Sequence, residues 1–203
     1  MNPLRKGIVL VYIFDIGSVL LYFDPRTFVR TLWKDEARAE RLYQTVFQSP
    51  EWRLLDEGSV SQEEATLWLC HRNPDDTEHI RLVMRHWLRC LTPRWEVVEL
   101  LLDMKKQGAR LYFIANISVA GREFLLSTYP FLSVFDGGLF SCDEKMTAPN
   151  PAIYERLCSK YRLPAGECVY IDTRKENVLG AEAAGMRGHL FVGTERFLDT
   201  VLW

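Results

Sequence analysis

Seven mostly apolar residues, Ile8-Val9-Leu10-Val11-Tyr12-Ile13-Phe14, run into a single carboxylate, Asp15, and then into Ile16-Gly17-Ser18-Val19-Leu20-Leu21. The run has strand length and no polar/apolar alternation, which predicts a central strand covered on both faces, as in a parallel sheet. Asp15 then falls at the carboxyl end of that strand. In open α/β sheets, ligands sit in the crevice outside those ends, so a charge placed there faces a site. The pattern returns downstream, where Cys168-Val169-Tyr170-Ile171 ends in Asp172, with Thr173 and a helical stretch behind it. A strand-end aspartate can also simply cap the next turn. Two of them, ending strands taken to be nonadjacent, point instead to one shared cleft.

Composition narrows the function classes. The 203 residues, 48% hydrophobic and 26% charged, suit one medium domain or a core with a small insert. A formal net charge of -2 lacks the basic footprint of nucleic-acid binding, so no nucleic-acid partner is expected. The apolar run at the first strand falls short of the roughly 20 residues a membrane-spanning helix needs. Charges before that run mimic a signal peptide, but no small-residue cleavage site follows, and the stretch is kept as strand. Five scattered cysteines, without metal-ligand spacing, fit free thiols and a cytoplasmic location.

From Asp24 to about Trp95 the periodicity is helical, with no convincing strand, and helices are expected at Pro25 to Leu32, Ala37 to Gln48, Ser61 to His71 and Thr77 to Arg89. Ser61 with Glu64 forms a capping box. Strand and helix patterns alternate again from Thr92-Pro93, with Pro93 placed at a helix's first position and Gly108 just past its end. Strands follow at Arg110 to Ala115, Gly138 to Cys142, Val169 to Ile171 and His189 to Val192, interleaved with helices. The fold class is therefore α/β, a doubly wound parallel sheet with an inserted helical block.

These residues resemble the haloacid dehalogenase superfamily. The resemblance rests on Phe14-Asp15-Ile16-Gly17-Ser18-Val19-Leu20-Leu21, Asn116-Ile117-Ser118, Pro149-Asn150-Pro151-Ala152-Ile153-Tyr154, and Asp172 through Gly185. It is strongest to a bacterial subgroup with Gly at the second aspartate of the first motif. The resemblance implies a Rossmann-like core over 1–23 and 96–203 and a small helical cap over 24–95. It also implies an aspartyl-phosphate on Asp15, Mg²⁺ held by Asp15, the Gly17 carbonyl and Asp172, and a small phosphorylated metabolite as substrate. Oxygen donors of this kind suit magnesium.

Several family positions are altered. The usual general acid is replaced by Gly17, the phosphate-binding hydroxyl by Ala115, the lysine by Ala148, and a second acid of the last motif by Thr173. General acid–base help alone is worth about 10²–10⁴ in rate. Asn116, Ile117 and Lys145 are the candidate phosphate contacts, with Asn116 also a catalytic candidate as an oxyanion donor. Asn116 equally suits a loop tie, and Lys145, like Arg174 and Lys175, suits a solvated surface charge. Ser18 and Ser118 are candidate substitute hydroxyls or turn caps. The expected activity is a weak Mg²⁺-dependent phosphatase. An inactive descendant acting by ligand or protein binding is the alternative, and 2-haloacid dehalogenation ranks last, since without a metal's charge it relies more on the missing lysine.

Overall fold

The computed structural model describes residues 11–195 and 197. Ile8, Val9 and Leu10 of the expected first strand lie outside the described residues. In chain order the first half contains β1 (Val11–Asp15), a wide π turn (Ile16–Leu20), β2 (Leu21–Phe23), α1 (Pro25–Leu32), α2 (Glu36–Phe47), α3 (Pro50–Asp56), α4 (Gln62–Arg72), α5 (Thr77–His86) and β3 (Leu91–Pro93). The second half contains α6 (Trp95–Lys106), β4 (Arg110–Ala115), α7 (Val119–Thr128), β5 (Gly137–Phe140), α8 (Ser141–Glu144), α9 (Pro151–Tyr161), β6 (Cys168–Asp172), α10 (Lys175–Ala183) and β7 (Arg187–Leu190).

The main sheet has the order β5-β4-β1-β6-β7, and every pairing in it is parallel. Strand β1 is central, which explains its apolar run. Tyr12 and Phe14 enter one core with the helical segment, α6 and α7, while Val11 and Ile13 enter a second core with α9. Period-two pleating sends alternate side chains to opposite faces, and because both faces are buried the sequence loses its alternation. β6 is a hydrogen-bonded neighbour of β1, which corrects the expectation of nonadjacent strands. Phe14 is in register with Ile171, so the next residues, Asp15 and Asp172, stand abreast.

Residues 24–90 are helical apart from turns, and the Ser61–Glu64 capping box forms with both reciprocal bonds, at 3.1 and 2.8 Å. The expectation of no strand before Trp95 is corrected by β3, which pairs antiparallel with β2 and closes a two-stranded ribbon where the chain enters and leaves the helical segment. Pro93 lies in that ribbon, and α6 begins at Trp95 instead. Arg94 is held back from the helix because its N–H donates to the Leu20 carbonyl at 2.9 Å and its guanidinium stacks 4.1 Å over the Tyr22 ring. Three-residue strands carry too few positions for a period to be read. Helix α3, capped by Ser49 with Pro50 in its first turn, was likewise too short to be expected. The strand expected over Gly138 to Cys142 ends at Phe140, and Ser141 turns the chain into α8.

The helical segment is fastened to the sheet layer by an aromatic cluster. Trp52 stacks on Phe23 of β2 and meets Phe47 and Trp87 at 4.5 and 5.0 Å between ring centroids. A second contact closes at Gly58, where a Cβ would lie 2.3 Å from the Cys142 carbonyl oxygen and where φ is +67°. Only glycine meets both conditions. Among the described residues, no helix is long and apolar enough to cross a membrane.

Candidate active site

Asp15 ends β1, and its carboxylate is turned back onto the π turn that follows. The Ser18 N–H and Ser18 hydroxyl both donate to Asp15 Oδ2, at 2.6 and 2.7 Å. The Ser18 hydroxyl oxygen also lies 3.5 Å from Asp172 Oδ1, and the Thr173 hydroxyl donates to it at 2.7 Å. One hydroxyl therefore sits between the two carboxylates. Ser18 had been read as a substitute hydroxyl or a turn cap, and its position joins the two roles.

Asp172 is fully buried and Asp15 is 8% exposed. Around Asp172, Oδ2 accepts from the Tyr170 hydroxyl at 2.7 Å and from Asn177 Nδ2 at 2.8 Å, and Oδ1 accepts from the Arg174 N–H at 2.8 Å. Asp15 has fewer donors, and burial together with the neighbouring Asp172 charge pushes its carboxyl up to about 7, against the opposing bonds from Ser18 and Gly17. The same burial and the two acids raise the Tyr170 phenol well above its ordinary value, so it remains a donor. Asn177 and Tyr170 had not been singled out. Tyr170 stands two residues before Asp172 on one strand, a spacing that puts both on one face. Asn177 enters through the first turn of α10, a placement periodicity alone did not mark.

The side-chain oxygens that meet here are those of Asp15 and Asp172 and the Ser18 and Thr173 hydroxyls. Buried beside these, Asn177 Oδ1 has no hydrogen-bond partner. Two carboxylates held together out of solvent, with an unpartnered polar oxygen next to them, fit a hard cation that keeps some of its waters. No group of three or more His, Cys, Asp or Glu side chains with metal-binding geometry occurs among the described residues. A cation here would therefore draw on carbonyl oxygen and water as well as the acid pair.

The opposite side of the crevice, beyond β4, is arranged differently. Asn116 donates from Nδ2 to the Ala148 carbonyl at 2.8 Å and accepts the Ala148 N–H on Oδ1 at 2.9 Å. Through that reciprocal pair the side chain ties two loops together. The Ile117 N–H donates to the buried Ser141 hydroxyl at 2.8 Å, which takes away the amide expected to hold phosphate. Lys145 caps α8 in the left-handed region, at φ +57°, and its ammonium donates to the Gly58 carbonyl of the helical segment. Ser118 caps α7 by accepting the Gly121 N–H at 3.3 Å. Arg174 is largely exposed and paired with Glu176. Ala115 and Ala148 are buried in the two separate cores.

Cavities of about 460 and 290 Å³ open on the helical segment, one between α4 and α5 and the other between α1 and the ribbon. Neither is lined by Asp15 or Asp172. The five cysteines are free thiols.

A central parallel strand ending in one acid, a neighbouring strand ending in a second, and a helical insertion directly after the first define an α/β protein with a carboxylate pair at the carboxyl edge of its sheet. Residues 9–185 match the haloacid dehalogenase-like hydrolase family, and the chain belongs to it. A sesquiterpene phosphatase from Aspergillus oryzae is 27% identical over 176 residues, covering 87% of this chain and 86% of that protein. A drimenol cyclase from Aspergillus calidoustus is 25% identical over 186 residues, which is 90% of this chain but 34% of the cyclase. Among solved structures, a haloacid dehalogenase family enzyme from Bacteroides thetaiotaomicron, in complex with magnesium and inorganic phosphate, superposes with a TM-score of 0.69 at 17% identity, over 90% of this chain and 93% of that one. A hydrolase of the same superfamily from Porphyromonas gingivalis gives a TM-score of 0.71 at 18% identity, over 97% of each chain.

Proposed function

We propose that this chain hydrolyses a small phosphate monoester, slowly, with Asp15 as nucleophile. The observation that carries the reading is the buried pair Asp15 and Asp172, abreast at the ends of β1 and β6 with the Ser18 hydroxyl between them. Asp15 attacks phosphorus, the ester oxygen leaves as an alcohol, and water then releases phosphate from the Asp15 carboxyl. Asp15, the Gly17 carbonyl and Asp172 would hold Mg²⁺, which when bound supplies positive charge against the phosphoryl oxygens. Asn177, Tyr170 and the Arg174 N–H fix the Asp172 carboxylate in one orientation, as outer partners of metal ligands do. The helical segment acts as the cap that excludes bulk water.

Turnover is slow because side chains that would grip the phosphate are missing. Ala115 offers no hydroxyl, Ala148 no ammonium and Gly17 no acid, while Asn116, Ile117 and Lys145 already have partners within the protein. Loss of one preorganised donor typically costs about 2.7–4 kcal/mol. The resemblance to a sesquiterpene phosphatase favours an ester with an apolar alkyl group.

The test is phosphate release from prenyl-type and aryl monoesters with and without Mg²⁺, for the wild-type chain and Asp15→Asn. Slow Mg²⁺-dependent release that falls by about 10³-fold or more in the variant is expected, as when a nucleophile is removed. Release unaffected by Asp15→Asn, or no release at all, ends the reading and leaves an inactive ligand-binding protein in its place.

A further inference from the structure

The cavity of about 460 Å³ between α4 and α5 lies outside the acid pair and has a lining of mixed character. Its size is that of a small-molecule site, about 300–1,000 Å³. Arg81 and Arg85 stand one turn apart on α5, a spacing that puts both on one face, and both line the cavity. Elsewhere arginines are matched with acids: Arg41 with Asp76, Arg72 with Glu51, Arg156 with Glu144 and Arg174 with Glu176. Among the described residues Arg81 and Arg85 have no carboxylate within ion-pairing distance. Glu63 is the one acid in the lining, so two guanidinium groups outweigh it.

A third donor is fixed beside them. Gln62 opens α4, and its side-chain carbonyl accepts the indole N–H of buried Trp87 at 3.0 Å. Trp87 directly follows α5, so the bond pins the start of one helix against the end of the other. With Oε1 committed in this way, the Gln62 amide is oriented and its Nε2 remains without a partner among the described residues. Thr66 differs, since its hydroxyl proton goes to the Gln62 main-chain carbonyl at 2.6 Å.

The rest of the lining is apolar. Met84 is its buried member at 2% exposed, while Leu67 is 57% exposed. One exposed leucine alone signifies little. Here it borders a cavity whose donors have no acceptors. An anionic head would take up those donors, and an attached apolar chain would cover Leu67 and Met84 and release their water.

We propose that this cavity is a second ligand site, separate from the acid pair, and that it binds a single-chain alkyl phosphate anion. The head lies against Arg81, Arg85 and the Gln62 amide, and the chain lies over Leu67 and Met84. A concave site between two helices takes one such molecule, not the face of a bilayer. The proposal does not depend on the phosphatase reading, because neither Asp15 nor Asp172 lines the cavity.

The probe is octylphosphonate, whose carbon–phosphorus bond is not an ester bond, titrated calorimetrically into the full chain in EDTA. Binding at one site is expected, about tenfold or more tighter than that of methylphosphonate or octanol. Replacing both arginines, Arg81→Gln with Arg85→Gln, should weaken it by about tenfold or more, as loss of charged hydrogen bonds does. Leu67→Gln should weaken octylphosphonate by about threefold or more and leave methylphosphonate unchanged. All three side chains are exposed, so melting curves of the variants should match wild type. Asp15→Asn should leave the affinity as it was. No binding, equal affinity for methylphosphonate or octanol, or indifference to the arginine replacements overturns the proposal. Tighter binding in Asp15→Asn also overturns it and moves the anion to the acid pair. Cosedimentation with anionic phosphatidylglycerol vesicles, without binding of octylphosphonate, overturns it in favour of a membrane surface.

Discussion

The two sides of the crevice have been treated differently. On the β6 side, Asp172 accepts from Tyr170, Asn177 and the Arg174 N–H, while the Ser18 hydroxyl, bonded to Asp15, lies 3.5 Å across from Asp172. All of that bonding orients acids. On the β4 side, Asn116, the Ile117 N–H and Lys145 bond to Ala148, Ser141 and Gly58, so the bonding ties loops to one another and to the helical segment. The lesson is that an acid pair can be held organised on one side of a crevice while the polar groups on the other side are spent on tying loops together. The buried carboxylates need fixed donors whether or not a reaction occurs, whereas the alanines at 115 and 148 are packed into the two cores and make no such demand.

The contrast can be attacked directly, beginning where the effect is largest. Restoring Ala115→Ser and Ala148→Lys together should raise Mg²⁺-dependent kcat/KM on an aryl phosphate by about 10²-fold or more, since each returns a donor to developing charge. Failure of the double variant, if it folds, would mean that the neutral side was not limiting. Next in size, saturating Mg²⁺ should raise the wild-type melting temperature at pH 8 by roughly 5–10 °C, following binding linkage and the entropy of unfolding at this size. Asp172→Asn should remove that shift, and a full shift in the variant would place the metal elsewhere.

A smaller effect follows from Asp15. Its carboxyl is raised in the folded protein from 3.8 to about 7. The folded state therefore holds the proton more tightly than the unfolded chain does. The associated stability is present below the unfolded value and is lost as pH rises from about 4 through about 7. Without Mg²⁺, Asp15→Asn should consequently melt several degrees higher than wild type at pH 8 and gain much less at pH 4. A variant stabilised equally at both pH values would show that charge burial is not the cause. Smallest of all, Lys145→Met should leave KM within about threefold, because its ammonium is bound to a carbonyl and adds only a weak, exposed interaction. A rise near 10²-fold would return Lys145 to the phosphate.

Much of the fold was legible in order along the chain. Apolar runs closing on Asp15 and Asp172 marked parallel strands, the capping box located α4, and glycines at 108 and 185, both with positive φ, marked helix ends. The ribbon of β2 and β3 was not legible, since three-residue strands carry no usable period, and α3 was hidden for the same reason of length. Within the site, Asp15 and Asp172 could be picked out because they interrupt apolar runs. Asn177 could not, being one polar residue among several in the first turn of α10.

Residue order alone settled which side chains stand at the strand ends, because local periods of two and 3.6 dictate which positions point inward and where each element stops. Which polar groups remain free was decided only by packing between distant segments. Asn116 meets Ala148 across 32 residues, Lys145 meets Gly58 across 87, and Ser141 meets Asp56 across 85. A donor can satisfy only a few acceptors at contact distance, and that distance is set by the tertiary fold, since chain position says nothing about which of several competing partners lies within reach.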